Sequence, residues 1–226
     1  MYPPKHFTVG AKVKNDSVDK NGIVTTNSIG DQHRELIEQN PLATLIFEPS
    51  LSTNQAEESC TQISHIPCHF DQGEVENTYN KATLIAHVSN HHPLAQQLNS
   101  DATESNKVSI KLVFHGEQGY ISPNDVNSPD RGAIKVPTWN YSKVHIAGSA
   151  VAIIDRQEKY QLIAQTTKYF ERDSDEPWLI TDAPEVAIRA MLNAITFIKI
   201  DVNAIEGSFK LSQNKPKKII QQLANQ

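Results

Sequence analysis

Cysteine is nearly absent. Cys60 and Cys68 are the only two in 226 residues, and they fall in one region, which excludes a disulfide-stapled scaffold. No run approaches the ~18 uncharged apolar residues that a membrane-spanning helix requires. The opening residues, Met1 to Phe7, hold no apolar signal segment. Glycine is sparse, nine residues, and none form the G-x-G-x-x-G turn of a dinucleotide-binding βαβ unit. A basic excess is also missing: 21 Lys+Arg stand against 26 Asp+Glu, a net charge of -5. Nucleic-acid binders carry a basic face because phosphate neutralisation dominates their affinity. The one basic cluster, Lys215, Lys217 and Lys218, is expected to solvate a terminal helix, so direct DNA binding is disfavoured. These absences point to a soluble cytoplasmic protein with no membrane partner, built as one large domain or a domain with an appendage.

Periodicity and punctuation place the elements. Residues 8–27 are polar and turn-rich and read as a loop or loose arm. A helix is predicted from Asp31, capped by that residue and closed by Pro41. Leu42 to Phe47 has strand length, and 48–57 reads as a loop. Strands are predicted over 61–70, 81–89 and 107–115, with one or two helical turns at His92 to Leu98. Gly116-Glu117-Gln118-Gly119 reads as a turn and Asn124 to Gly132 as a polar loop. A strand follows from Val136 towards Asp155, with a bend at Gly148. The spacing of Tyr160, Ile163, Ala164 and Thr167 predicts a helix over 156–171. Asp182 and Glu185 form a capping-box pattern ahead of a helix over 183–196, with Ile188, Met191, Leu192 and Ile195 on its apolar face. Residues 197–202 read as a strand that continues through 205–211 after a turn or bulge, and a short helix follows Pro216. Strands in series with few helices between them imply an α+β protein with an antiparallel core, best met by a small barrel with packed helices.

Three groups of residues bear on chemistry. Nine histidines invite a metal, but His87 sits in a strand and His91 in the loop after it, so helical i, i+4 geometry is not supplied. His65 and His69 share a strand face yet stand roughly 13 Å apart at ~3.3 Å per residue, so structural or surface roles are expected. No G-x-S-x-G elbow or carboxylate pair supports hydrolysis, and nothing beside the cysteines argues for a reactive thiol. Val136-Pro137-Thr138-Trp139-Asn140-Tyr141, running into Ser142-Lys143-Val144-His145, is richer. It offers either an aromatic wall with polar edges to a planar cofactor or an aromatic strand for an ordinary core. Phe209-Lys210-Leu211-Ser212-Gln213-Asn214 gathers a cation, a hydroxyl and two amides. That inventory suits a ribityl phosphate, or else a frayed terminal cap.

Taken together, the segments resemble the PaiB-type family of FMN-binding negative transcriptional regulators, within the pyridoxamine-phosphate-oxidase-like split-barrel flavoproteins. The matching pieces are Met1 to Phe7, Pro41 to Leu45, Ser64-His65-Ile66-Pro67, Phe114-His115-Gly116, and Tyr120-Ile121-Ser122-Pro123. Val136 to Tyr141 with Val144, His145 and Gly148 follow, then Glu206-Gly207 and Lys210 to Asn214. The resemblance implies a six-stranded antiparallel split β-barrel with peripheral helices. It would be a single FMN-binding domain over 1–226 with a C-terminal helical and strand extension, forming a homodimer with FMN at the subunit interface. Carried over by position, the cofactor-binding residues would be His65, Ile66, Pro67, Ser122, Thr138, Trp139, Asn140, Tyr141, Lys210, Ser212, Gln213 and Asn214. Lys210 and the hydroxyls would serve the phosphate, and Trp139 would border the isoalloxazine. The chain departs from the family pattern at Ala95, at Asn124-Asp125-Val126 and at Ser208-Phe209, which implies a roomier, less basic site. The implied activities are NAD(P)H-dependent flavin reduction or another oxidoreductase reaction, or flavin-dependent regulation. Transcriptional repression without redox catalysis is the alternative, as is haem handling with His65 or His145 as ligand.

Overall fold

A computed structural model of the chain describes residues 23–26 (backbone only), 30–49, 61–71, 82–100 and 106–224. Most of the expected N-terminal arm and of the 48–57 loop, together with Cys60, lies outside those residues.

The strands are β1 (Ile23–Thr26), β2 (Leu42–Phe47), β3 (Gln62–Phe70), β4 (Thr83–Ser89), β5 (Val108–Ile121), β6 (Thr138–Ile153) and β7 (Ile195–Lys210). The helices are α1 (Asp31–Gln39), α2 (Pro93–Asn99), α3 (Arg156–Phe170), α4 (Glu185–Ala194) and α5 (Lys217–Ala224). Strand order is β1-β7-β4-β3-β2-β5-β6, and pairing of β6 with β7 closes six of the strands into a barrel with β1 added on β7. This is the six-stranded antiparallel split barrel with peripheral helices that the sequence implies.

The chain divides into two compact units. One holds residues 1–40, 114–145 and 205–226, and the other 41–113 and 146–204. In the second unit, β2 and the first half of β5 alternate cleanly. Ala43, Leu45 and Phe47 face inward, as do Val108, Ile110 and Leu112, while Ser109 and Lys111 face solvent. β4 is different: Leu84, Ile85 and Ala86 are all buried. The reason is a second apolar layer, in which Ile85 and Phe197 pack with Leu162 and Ile163 of α3 and Ile188 and Leu192 of α4. A strand covered on both faces loses its alternation. In the first unit a smaller cluster joins Ile121, Val126 and Ile134 to Ile219 and Leu223 of α5. The basic tail is anchored there, with Lys218 paired to Asp130 at 2.8 Å and Lys215 Nζ donating to the Ala133 carbonyl at 2.8 Å.

Several local expectations are corrected. Residues 23–26 form a strand rather than a loop, because they pair antiparallel with 205–208 of β7. Gly30, not Asp31, caps α1, and Asp31 is its first helical residue. Gly116 and Gly119 lie inside β5 instead of turning the chain. A side chain at Gly116 would collide with Ser142 Oγ and Leu36, so the glycine serves close approach. The polar stretch after Ser122 winds into short 3-10 turns at Pro123–Asp125 and Ser128–Ala133. Asp182 spends its carboxylate on the Leu179 amide at 2.8 Å, leaving Pro184 at the cap of α4. The buried face of α3 is Leu162, Ile163 and Thr166, with Tyr160 exposed. β7 runs on through 203 as one strand, without a turn. It exchanges partners, pairing with β4 through Asp201 and with β1 from Ile205.

Gly148 sits in β6 where an added Cβ would lie 2.9 Å from the Asp201 carbonyl oxygen and 3.0 Å from Ile200 Cγ2. Backbone and a fully buried side chain cannot both retreat cheaply. Gly148→Ala is expected to cost about 1–3 kcal/mol in denaturant unfolding. An unchanged midpoint would show that β7 yields to the methyl group.

Candidate functional site

The structure brings two pairs of the expected residues together within the first unit, across 72 positions of sequence. Lys210, the last residue of β7, donates from Nζ to Thr138 Oγ1 at the start of β6. Ser212 Oγ donates to Asn140 Oδ1 at 3.0 Å. Asn140 is 1 % exposed, and among the described residues its Nδ2 has no hydrogen-bond partner. Such a buried donor costs about 1–3 kcal/mol if nothing accepts from it. Ser212 adopts φ 59°, the left-handed region a non-glycine residue enters at a cost. The strain places its hydroxyl on Asn140. The result is one ammonium, two hydroxyls and one unspent amide donor at the point where β7 ends beside the start of β6.

Other expected residues do backbone work. Gln213 folds onto its own turn, accepting from the Leu211 amide and donating to the Phe209 carbonyl, both at 2.6 Å. Ser122 caps the 3-10 turn after β5: its Oγ accepts from Asn124 N at 3.1 Å, and its own amide donates to Asp125 Oδ2 at 2.7 Å. Both shape the frame from which the donors project. Asn214 is exposed and Tyr141 half-buried. Trp139 is 49 % exposed and meets Tyr120 edge-on, with ring centroids 5.9 Å apart. Sequence alone does not single out Tyr120. Its one signal was its place beside Ser122, since the pairing with Trp139 exists only across strands.

His65, Ile66 and Pro67 lie on β3 in the second unit, opposite Thr44, Ala43 and Leu42 of β2. Ile66 is buried and His65 exposed, as is His145 of the first unit. The neighbouring histidines are structural. His69 is buried between Thr166 Oγ1 and the Phe70 carbonyl, at 2.9 Å from each. His92 Nε2 lies 2.9 Å from Ser64 Oγ, a spacing that suggests an activated serine. Its Nδ1, however, accepts from the Leu94 amide at 3.2 Å, so the neutral ring carries its proton on Nε2 and donates to the serine. A general base needs the opposite arrangement. Burial also pushes the His92 pKa down, which keeps the ring neutral. Cys68 is a free thiol, fully buried, and desolvation pushes its pKa up, away from thiolate chemistry.

A concavity of about 160 Å³ also opens in the first unit, lined by α1 together with Gly116, Glu117, Ser142, Phe209 and Leu211. Glu35 and Glu117 stand on its wall and Lys210 does not. The cation that a phosphate dianion would call for stands instead in the Lys210 cluster.

Comparison with known proteins adds the following. The family model described as "Putative FMN-binding domain" matches residues 24–204, ending short of Lys210. "Protease synthase and sporulation protein PAI 2" of Bacillus subtilis (strain 168) is 25% identical over 230 residues, covering 100% of this chain and 90% of that protein. The FAD and heme binding protein from Mycobacterium smegmatis superposes with a TM-score of 0.51 at 15% identity, covering 81% of this chain and 72% of its own. A conserved hypothetical protein from Mycobacterium tuberculosis reaches 0.51 at 9% identity, over 84% and 92%. At these identities the structural likeness speaks for the fold alone.

Proposed function

This chain belongs to the PaiB-type family of FMN-binding domains, and we propose that it binds FMN with the phosphate at Lys210, Thr138, Ser212 and Asn140. The observation that carries the reading is the buried Asn140 Nδ2, a donor that waits for an acceptor beside a hydroxyl and an ammonium. The donor set fits the group: the cation neutralises a phosphate, and uncharged donors satisfy its remaining oxygens. Thr138 accepts from Lys210 and keeps its own O–H to give. Ser212 gives its proton to Asn140 Oδ1, which fixes the amide so that Nδ2 points its hydrogens elsewhere. Trp139, supported by Tyr120, is the wall proposed for the isoalloxazine, and Tyr141 and Asn214 complete the rim. Gln213 and Ser122 hold the turns. His65, Ile66 and Pro67 stay in the proposal on the family resemblance alone.

Hydride or electron transfer is the chemistry that bound FMN supplies, and orientation and electrostatics are the protein's share. That division suits a chain whose described histidine–serine pair is in the wrong tautomer for acid–base work. The favoured activity is reduction of flavin by a nicotinamide donor, in a homodimer with FMN at the subunit interface. Titration of purified protein into FMN, followed by flavin fluorescence, is expected to saturate in the micromolar range, about -8 kcal/mol. Absence of saturation at high micromolar protein would remove the reading. Transcriptional regulation, which the family resemblance implies, is the second reading. The chain's acidic balance makes an effect through flavin or a partner protein physically easier than operator binding. Saturable, sequence-preferring retardation of upstream DNA at moderate salt would reverse that order.

A further inference from the structure

We infer that the segment between α3 and α4 is a docking site for a lysine- and arginine-rich amphipathic segment of a partner protein. Residues 171–185 hold six carboxylates and one arginine, a net charge of -5. The whole chain also carries -5, so its remaining residues balance and the entire excess is concentrated here. The arginine is already engaged: Arg172 lies over the Tyr169 ring at 4.2 Å and pairs with Asp173 at 3.4 Å. In the middle of this field stand Trp178, 42 % exposed, and Leu179, 51 % exposed.

These two side chains are presented by an ordered backbone. The Trp178 amide donates to Glu171 Oε2 at 3.1 Å, and the Leu179 amide donates to Asp182 Oδ2 at 2.8 Å. Two consecutive peptide groups are thus tied down while both large apolar groups face water. A tryptophan on a pre-ordered backbone has less freedom to lose on binding, and tryptophans are enriched among the residues that dominate interface energetics. On α4, the helix that follows in the chain, Val186 is 78 % and Met191 37 % exposed, while Ile188 and Leu192 are buried. Exposed apolar surface rimmed by charge marks an interaction site. The sign of that charge turns away nucleic acid and anionic lipid, and it draws in a cationic segment whose apolar residues can cover Trp178 and Leu179. The segment shares no residue with the flavin reading, so either can fail without the other.

The experiment uses the full chain carrying Trp139→Phe, in which Trp178 is the sole tryptophan. The probe is a synthetic amphipathic helix of leucine and lysine. Addition of the peptide is expected to shift Trp178 emission to the blue and to saturate at micromolar concentration. Binding should weaken at least about tenfold as salt rises to about 0.3 M. Leu179→Ser is expected to weaken it about tenfold or more, as is Asp175→Asn combined with Glu176→Gln. A leucine–glutamate helix of the same pattern should leave the emission unmoved. Three results would overturn the assignment. One is no saturable shift below about 100 µM peptide. Another is equal response to the acidic helix or indifference to Leu179→Ser. The third is sedimentation showing that Trp178→Ala splits a dimer, which would give the surface to a second copy.

Discussion

Lys210→Ala is expected to weaken FMN binding by about one to two powers of ten, the equivalent of ~1.5–3 kcal/mol for a hydrogen bond to a charged group. The magnitude follows from position. Lys210 is half-buried at the end of β7, so its charge is less screened than a surface lysine's, and Thr138 Oγ1 holds Nζ in one place. No other cation takes part in the hydrogen bonds that join Thr138, Asn140, Lys210 and Ser212. Lys210→Arg keeps the charge and should recover much of the affinity, whereas Lys210→Met should not. Thr138→Val should cost less, since it removes an uncharged partner. Thermal unfolding of the apo variants separates binding from structure, because a lysine acting only as a strut would lower the melting temperature without a charge-dependent effect on FMN. An unchanged dissociation constant in Lys210→Ala would put the phosphate elsewhere in the molecule.

What the sequence made legible follows from how local each signal is. The strand over 42–47 and the first half of β5 alternate with period two, because one face is buried and the other wet. The helices after Asp155 and Pro184 carry 3.6-residue periodicity, although the buried stripe of α3 is rotated away from Tyr160 by its packing on Ile85 and Ile153. Non-local events left no such trace. Gly116 and Gly119 look like turn glycines, yet at Gly116 the missing side chain makes room for Ser142 and Leu36, which arrive from other elements. The break expected near 203 is a change of strand partner, and a polar pair, Asn203-Ala204, is compatible with either event. At the site, Thr138 with Lys210 and Asn140 with Ser212 were reachable only through family resemblance, because a 72-residue separation has no periodicity to read. Residue type alone does not show that the amide of Gln213 and the hydroxyl of Ser122 each also bond backbone beside them. Trp178 was invisible for the opposite reason, since a tryptophan in an acidic loop reads equally well as buried.

Acid is expected to loosen the second unit at His69, before the bulk of the carboxylates titrate. The ring is 1 % exposed and stacks on Tyr169 with centroids 5.0 Å apart. Its Nδ1 donates to the Phe70 carbonyl, so Nε2 accepts from the Thr166 hydroxyl and ties β3 to α3 in a single tautomer. Burial holds its pKa below the ordinary histidine value, and the Phe70 carbonyl and the Asp71 charge only partly oppose this. His87 is depressed by burial as well, and by the charge on His69. The sign is then fixed. Below the ordinary value of about 6.5 the unfolded chain takes up a proton that the folded chain refuses. The stabilising contribution is complete above that pH and is lost as pH falls through the depressed folded value. Denaturant midpoints should therefore decline as pH drops from about 7.5 towards 5. His69→Ala should cost on the order of 3 kcal/mol at neutral pH, from the vacated space and the stranded Thr166 hydroxyl, and it should flatten that decline. Thr166→Val should cost about 1–3 kcal/mol by leaving Nε2 without a donor. The same acid slope in His69→Ala as in the parent protein would show that this ring is not the group responsible, and attention would pass to His87.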